Sequence, residues 1–292
     1  MYHMLAGPNI GLVSARSNKS VNMDHFFVTT NITEAKSGES TTQSAIFPLY
    51  LYPDEDEAKL FDDTATSPWD RDPAHGNRVP NLSQEFVEEF VAKLDLTFDP
   101  HKTGNAPGQA FGPEDILAYI YAVFHSPTYR ERYAEFLKID FPRVPLTSDV
   151  DLFWRLVSLG SELIDLHLME HPTLAQAQDR VSYPVKGDDR VKPRGGFPKF
   201  IAAGESRTKT SDVAERNRVY INLEQYFAGV PEDVWEFQVG GYQVLHKWLK
   251  DRKGRTLSYD DQVHYKKIVV ALQETMRLMT EVDAAIPSWP ME

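Results

Sequence analysis

The sequence predicts an α+β fold, and three observations carry that prediction. Short β-branched and aromatic runs fill the first fifty residues, a helical apolar period governs the middle, and strand-like runs return after residue 180 before two helical segments close the chain. Segregated strands and helices do not give the alternation of a parallel sheet with crossover helices. The expected layout is small β-rich elements, a helical middle and two C-terminal helices, arranged as two lobes. Along the chain this reads as a β-rich N-terminal segment with an acidic linker over 1–80, a helical region over 81–178, and a β segment with basic loops and the C-terminal helices over 179–292.

Runs over 11–15 and 25–30 are short, β-branched or aromatic, and bounded by Asn, Ser and Gly, as strands are. The run over 45–52 is strand-like as well, and Pro48 confines it to an edge or a bulge because proline lacks the amide a central strand must donate. Residues 53–80 open with Asp54, Glu55, Asp56 and Glu57 and continue through Pro68, Pro73, Gly76 and Pro80, which predicts a loop. From Ser83 the period changes: Phe86, Val87, Phe90, Val91 and Leu94 share one helical face. Pro113 followed by Glu114 and Asp115, and Ser126 followed by Pro127, mark further helix starts. The longest helix of the group is expected over 148–170, stopped by Pro172. Strands are expected over 219–223 and 234–239, with Gly240 and Gly241 opening a helix through Lys250. Ser258 and Asp261 form a capping box for a last helix reaching about residue 285.

The 292 residues carry 31 Lys and Arg against 43 Asp and Glu, a formal charge of −12, and no cysteine. That excludes a disulfide framework, thiolate zinc sites and cysteine nucleophiles. With 41% hydrophobic residues the composition is that of a globular chain, not a disordered one. No signal-peptide pattern opens the sequence, and no apolar run approaches the roughly 20 residues of a membrane span. A cytoplasmic protein without membrane attachment is expected.

The acidic average conceals its distribution. Residues 54–100 hold 4 basic against 13 acidic groups, whereas 179–220 hold 10 basic against 6 acidic and are rich in Gly and Pro. A basic, loop-rich face on an acidic protein suits a polyanion. Within it Arg190, Lys192, Arg194 and Lys199 are the leading candidates, because Gly195 and Gly196 let backbone approach phosphates while arginine forks match guanine edges. Arg16 and Lys19 follow the first strand among small polar residues, and Arg130 and Arg143 are further cationic candidates. A solvated turn accounts equally well for the Arg16–Lys19 pattern.

For catalysis, the sharpest pattern is His167-Leu168-Met169-Glu170-His171, the H-x-x-E-H spacing that puts two zinc-ligating histidines on one helical face with a glutamate as base. Against it, Pro172 pushes the preceding residue out of helical geometry. Pro53-Asp54 with Glu57-Ala58-Lys59 has the residue types of metal-dependent nucleases, but too closely spaced to flank a metal from separate strands. No phosphate-binding loop, nucleophile elbow, dinucleotide fingerprint or Asn/Asp-Pro-Pro-aromatic motif occurs. Neither a catalytic centre nor a cofactor is expected.

The stretch over 234–252, Val-Trp-Glu-Phe-Gln-Val-Gly-Gly-Tyr-Gln-Val-Leu-His-Lys-Trp-Leu-Lys-Asp-Arg, resembles the C-terminal part of single-polypeptide restriction-modification enzymes, which are DNA adenine-N6 methyltransferases often fused to helicase and nuclease segments. Residues 9–33, the run Phe-Pro-Leu-Tyr-Leu-Tyr-Pro over 47–53, and 119–145 with Ser-Pro-Thr-Tyr-Arg-Glu-Arg-Tyr and Phe-Pro-Arg-Val-Pro resemble the same family, in the same order. The resemblance spans nearly the whole chain. It implies a target-recognition domain that selects the DNA sequence to be methylated, with double-stranded DNA and a methyltransferase domain, with or without helicase and nuclease, as partners. The family's cofactor-binding and catalytic motifs have no counterpart here, so the resemblance implies a reader without its catalyst. Two other readings stay open: a zinc hydrolase built on His167, Glu170 and His171, and a docking lobe that holds partner domains and never touches DNA.

Overall fold

A computed structural model of the chain describes residues 1–17, 23–35, 43–53, 69–184, 186–208 and 212–291. The architecture is mixed α+β. Two compact units divide it: residues 1–168 with 278–292, and residues 169–277. Among the described residues no helix is long and apolar enough to cross a membrane.

The first unit opens with an antiparallel sheet ordered β2-β1-β3, from β1 (Gly11–Ala15), β2 (Phe26–Thr29) and β3 (Ser44–Pro48). Pro48 ends an edge strand, opposite Gly11, where its missing amide costs no ladder bond. β4 (Tyr50–Leu51) pairs with β5 (Val79–Pro80), and β6 (Thr97–Phe98) runs parallel to β7 (Ala110–Phe111). Helix α1 (Gln84–Leu94) begins where its cap predicts, with Ser83 Oγ accepting from the Phe86 amide at 3.3 Å, and it buries Val87, Phe90 and Leu94. Helix α2 (Pro113–His125) follows Gly112, whose amide donates to the Asp115 carboxylate at 2.8 Å. Short helices α3 (Pro127–Arg132) and α4 (Ala134–Leu137) come next. The Asp283 carboxylate, near the end of the chain, accepts from the Ser126 hydroxyl and from the amide and hydroxyl of Thr128, a negative charge at the positive end of α3.

Helix α5 (Val150–His167) crosses α2 so closely that only glycine fits at the contact. A Cβ on Gly160 would stand 1.8 Å from the Ala118 carbonyl oxygen. Around the crossing, Phe90, Phe111, Tyr119 and Phe153 pack with ring centroids 5.4 to 5.8 Å apart in the Phe90–Tyr119, Phe90–Phe153 and Phe111–Phe153 pairs. A buried polar cluster lies nearby. The Tyr121 hydroxyl and His167 Nδ1 share a hydrogen bond of 2.6 Å, and His125 Nδ1 bonds the Tyr121 carbonyl at 2.8 Å. Burial, reinforced by the Arg130 charge, holds His125 well below the usual imidazole range and brings His167 down to about 4.

The second unit begins after α5 with α6 (Ala177–Arg180) and contains a sheet ordered β10-β9-β8, from β8 (Lys199–Ile201), β9 (Arg218–Tyr220) and β10 (Tyr226–Ala228). Two expectations are corrected here. Residues 234–239 are not one strand: Pro231 caps helix α7 (Glu232–Glu236), with Glu232 and Asp233 favoured in its first turn, and only β11 (Gln238–Val239) is extended. Nor do Gly240 and Gly241 open a helix, since they turn β11 into β12 (Tyr242–Gln243) and α8 (Val244–Lys250) starts only afterwards. The last helix, α9 (Tyr259–Ala285), has the expected capping box, with the Asp261 amide donating to Ser258 Oγ and the Ser258 amide to the Asp261 carboxylate, both at 3.1 Å. The core of this unit gathers Val191, Val219, Ile221, Phe227, Val234, Leu245, Leu249, Leu257, Tyr265 and Val269.

Gly160→Ala is expected to destabilise the chain by about 3 kcal/mol or more, since backbone must move to admit the methyl group; urea unfolding at neutral pH measures it, and a loss below about 0.5 kcal/mol would contradict the crossing described. Acidification has a predictable sign. Both buried histidines have folded-state proton affinities below their unfolded ones, so their contribution to stability is full above about pH 6.5 and is lost as pH falls, for His167 by about 1.4 kcal/mol per pH unit down to about pH 4. Unfolding midpoints at pH 7, 6 and 5 should fall in step; a flat series would mean that these imidazoles protonate in the folded chain.

Candidate nucleic-acid interface

The basic loop of the second unit is not a free loop. On one side, the Asn222 side-chain amide donates to the carbonyls of Asp188 (2.6 Å) and Arg190 (3.1 Å), and the Lys192 amide donates to the Ile221 carbonyl at 2.9 Å. Gln225, fully buried, accepts from the Gly187 and Asp188 amides at 2.8 and 3.0 Å in the amide orientation that satisfies both. On the other side the loop pairs with residues 254–257. The Val191 amide donates to the Arg255 carbonyl (2.9 Å), the Gly254 amide to the Val191 carbonyl (2.8 Å), and the Leu257 amide to the Asp189 carbonyl (3.0 Å). Arg190 Nε adds a bond to the Gly254 carbonyl at 2.9 Å.

This pairing sets Arg190 and Lys192 beside Arg255, with Arg194 following along the first segment and Lys250 and Lys253 preceding the second. The Asp188 carboxylate accepts from the Arg190 amide at 3.0 Å, whereas Asp189 is turned to other partners. Asp189 accepts from the Tyr183 hydroxyl (3.0 Å) and from the Gln262 amide (3.3 Å), and its charge, after burial, raises the Tyr183 proton affinity. Arg194, Lys250, Lys253 and Arg255 are exposed and have no ion-pair partner among the described residues. Arg252 differs. Its guanidinium stacks 3.5 Å from the Trp248 ring centroid, donates to the Trp248 carbonyl and pairs with Asp261, so it holds the segment in place.

Of the residues singled out from the sequence, the structure brings Arg190, Lys192 and Arg194 together, with Lys199 exposed at the start of edge strand β8. Lys192 is half-buried, its ammonium 5.6 Å from the Phe197 ring centroid. Arg16 and Arg143 belong to the first unit, both exposed, Arg16 pairing with Asp140 at 3.2 Å. Lys19 lies outside the described residues, as does the acidic run over 54–63. Arg130 is corrected: it is 7% exposed, donates from Nε to the Phe124 carbonyl at 2.6 Å, and burial brings its proton affinity down to about 10. A side chain so enclosed is a structural cation and cannot reach a phosphate. Much of the rest of the basic stretch is likewise committed, Arg180 to Glu274 and Arg218 to Asp212 and the Tyr220 hydroxyl.

Sequence reasoning missed Lys250, Lys253 and Arg255. Residues 221–292 average to 8 basic against 11 acidic groups, which hides the run Lys-Asp-Arg-Lys-Gly-Arg over 250–255. A shorter window would have found the run, though not its partner loop.

The zinc pattern does not assemble. Helix α5 closes at His167, Met169 takes a left-handed φ of 64°, and His171 instead caps the next turn, its Nδ1 accepting from the Thr173 amide at 3.2 Å. The two imidazoles therefore do not share a helical face, and His167 is spent on Tyr121. Among the described residues no group of three or more His, Asp or Glu side chains is placed to hold a metal ion.

The sequence model of the Type ISP C-terminal specificity domain matches residues 1–281. The chain belongs to that family. Three solved structures share the specificity-domain fold, each with a TM-score of 0.57. They are the ATP-dependent Type ISP restriction-modification enzyme LlaBIII bound to DNA (17% identity, 98% of this chain), a nuclease-deletion mutant of the Type ISP enzyme LlaGI with a DNA substrate mimic (18%, 100%), and the DrdV–DNA complex (20%, 94%). The chain spans 16%, 22% and 25% of their respective lengths. A search of the curated proteins gives no match.

Proposed function

We propose that this specificity domain is a DNA target-recognition module, and that it binds duplex DNA through the paired cationic edge of its second unit. The observation that carries the reading is the pairing of residues 189–192 with 254–257, which fixes exposed Arg and Lys side chains on two adjoining segments. Ammonium and guanidinium groups held on rigid backbone suit phosphates, and Arg190 and Arg194 are the side chains able to fork onto guanine O6 and N7. In this reading the domain supplies target selection, and methyl transfer and any cleavage belong to other parts of a restriction-modification enzyme.

A second reading, a docking face for a partner domain, draws on the first unit. A groove of about 520 Å3 lined by Tyr133, Phe136, Ile139, Phe141 and Pro145 leaves Phe136 68% and Ile139 71% exposed. As a docking lobe that never touches DNA, the chain would use this face and leave the cationic edge without a duplex.

The test is selection from a random duplex pool by the purified chain at low salt, followed by sequencing of what is retained. Enrichment of one short motif is expected. Changing Arg190, Lys192 and Arg194 together to alanine should weaken binding roughly tenfold or more, and contact with about six phosphates should give a slope of log affinity against log salt near −5. Undiminished affinity in the triple variant would remove these residues from the interface.

A further inference from the structure

The hairpin and helix that follow α7 present a second polar face beside the paired edge. β11 and β12 pair through Gln238 opposite Gln243 and Val239 opposite Tyr242, and Gly240 and Gly241 turn between them with φ of 60° and 77°. Two successive left-handed residues make the tight turn that hairpins prefer and that side-chain-bearing residues resist. Helix α8 starts immediately after the hairpin, at Val244. Leu245 and Leu249 are fully buried in the core with Val234 and Leu257, which fixes the rotation of the helix.

Helical spacing then puts Lys247 and Lys250 on the face opposite these leucines, with His246 at its flank, its ring centroid 5.8 Å from that of Trp235. Lys253 follows, in a turn whose amide donates to the Lys250 carbonyl at 3.3 Å. Tyr242 stands ahead of the helix, 50% exposed, its ring centroid 5.8 Å from the Lys247 ammonium, and its hydroxyl makes no hydrogen bond to a described residue. Lys247 is neutralised by Asp251. Lys250 and Lys253 are not neutralised by any described residue, and their charges add to burial in lowering the proton affinity of the half-buried His246.

We propose that the β11–β12 hairpin and α8 form a sequence-neutral clamp on the DNA backbone, in which the Tyr242 hydroxyl and the Lys250 and Lys253 ammoniums hold phosphates of one strand. The proposal rests on the DNA reading above and divides the labour within it. Ammoniums are compact point charges without a fork, so they position a duplex and do not read it. A tyrosine hydroxyl likewise donates to a phosphate oxygen whatever base that nucleotide carries. Base reading is left to Arg194, on the bend over 193–196, and to Arg190 beside it.

The experiment titrates the chain with the random duplex pool across a salt series and sequences the retained fraction. It compares the wild type, Tyr242→Phe, and Lys250→Gln combined with Lys253→Gln; melting temperatures verify that these surface changes leave the fold intact. The double variant should bind all duplexes more weakly in parallel, with the salt slope shallower by about 2 and the enriched motif unchanged. Tyr242→Phe should cost about threefold, again with the same motif. A changed motif in either variant would show base reading and overturn the clamp, and so would an unchanged salt slope in the double variant. Wild-type chain that retains no duplex at low salt sinks the DNA reading itself. Retention abolished by the Arg190, Lys192 and Arg194 triple alanine variant but untouched by these changes sinks the clamp alone.

Discussion

The amide of Val191 and the carbonyl of the same residue, bonded to Arg255 and Gly254, decide what the second unit presents to solvent. Each such bond is worth on the order of 1 kcal/mol net. Two unit charges of like sign repel by about 1 kcal/mol at 4 Å in bulk water, so a cluster of Arg and Lys does not gather unaided. Here the backbone does the gathering. Val191 and Leu257 are buried in the core, which leaves Arg190, bridged to Thr256, and the adjacent Arg255 exposed. The unit thus holds a concentration of positive charge that a polyanion relieves on arrival, with little side-chain or loop ordering left to do.

The anchoring of that edge explains why so many polar side chains nearby face inward. Asn222 and Gln225 hold the loop from below, Asp189 is turned toward Tyr183 and Gln262, and Arg252 is pinned over Trp248. Each resembles a surface group in the sequence, and each is used to shape the backbone instead. Arg130 in the first unit follows the same logic, its guanidinium satisfied by the Phe124 carbonyl and compensated by the charges of Asp24 and Asp283. Buried arginines of this kind raise the basic count of a chain without adding to its external field.

Local chemistry was legible in the sequence wherever the determinant lies within a few residues. Ser83, Ser126 and the Ser258–Asp261 pair cap the helices that their spacing predicts, and the β-branched runs near the N-terminus form the expected sheet with Pro48 at its edge. Reading failed where the determinant is remote. Arg130 is enclosed among groups distant in sequence, the Asp24 and Asp283 charges among them, and the partnership of Arg190 with the 250–255 segment spans more than sixty residues. The run over 234–239 failed for a different reason. Short apolar segments do not distinguish a strand from one helical turn, and Pro231 with two acidic residues decides for the turn.

An acidic chain with one basic edge also constrains how a duplex approaches. A formal charge of −12 disfavours the approach of a polyanion, and at 0.1 M salt screening confines that repulsion, like the pull of the cationic edge, to within about 10 Å. On the proposed reading, attraction is concentrated at the cationic edge, so encounters in other orientations are weaker and shorter-lived. Lys250 at the end of α8 and Lys253 in the turn after it extend that edge in a direction set by the burial of Leu245 and Leu249, which gives a strand of phosphates an axis that an isolated charge does not. On the proposed reading, orientation is therefore set before any base is read, which leaves the loop arginines the smaller task of discriminating among base edges already brought within their span.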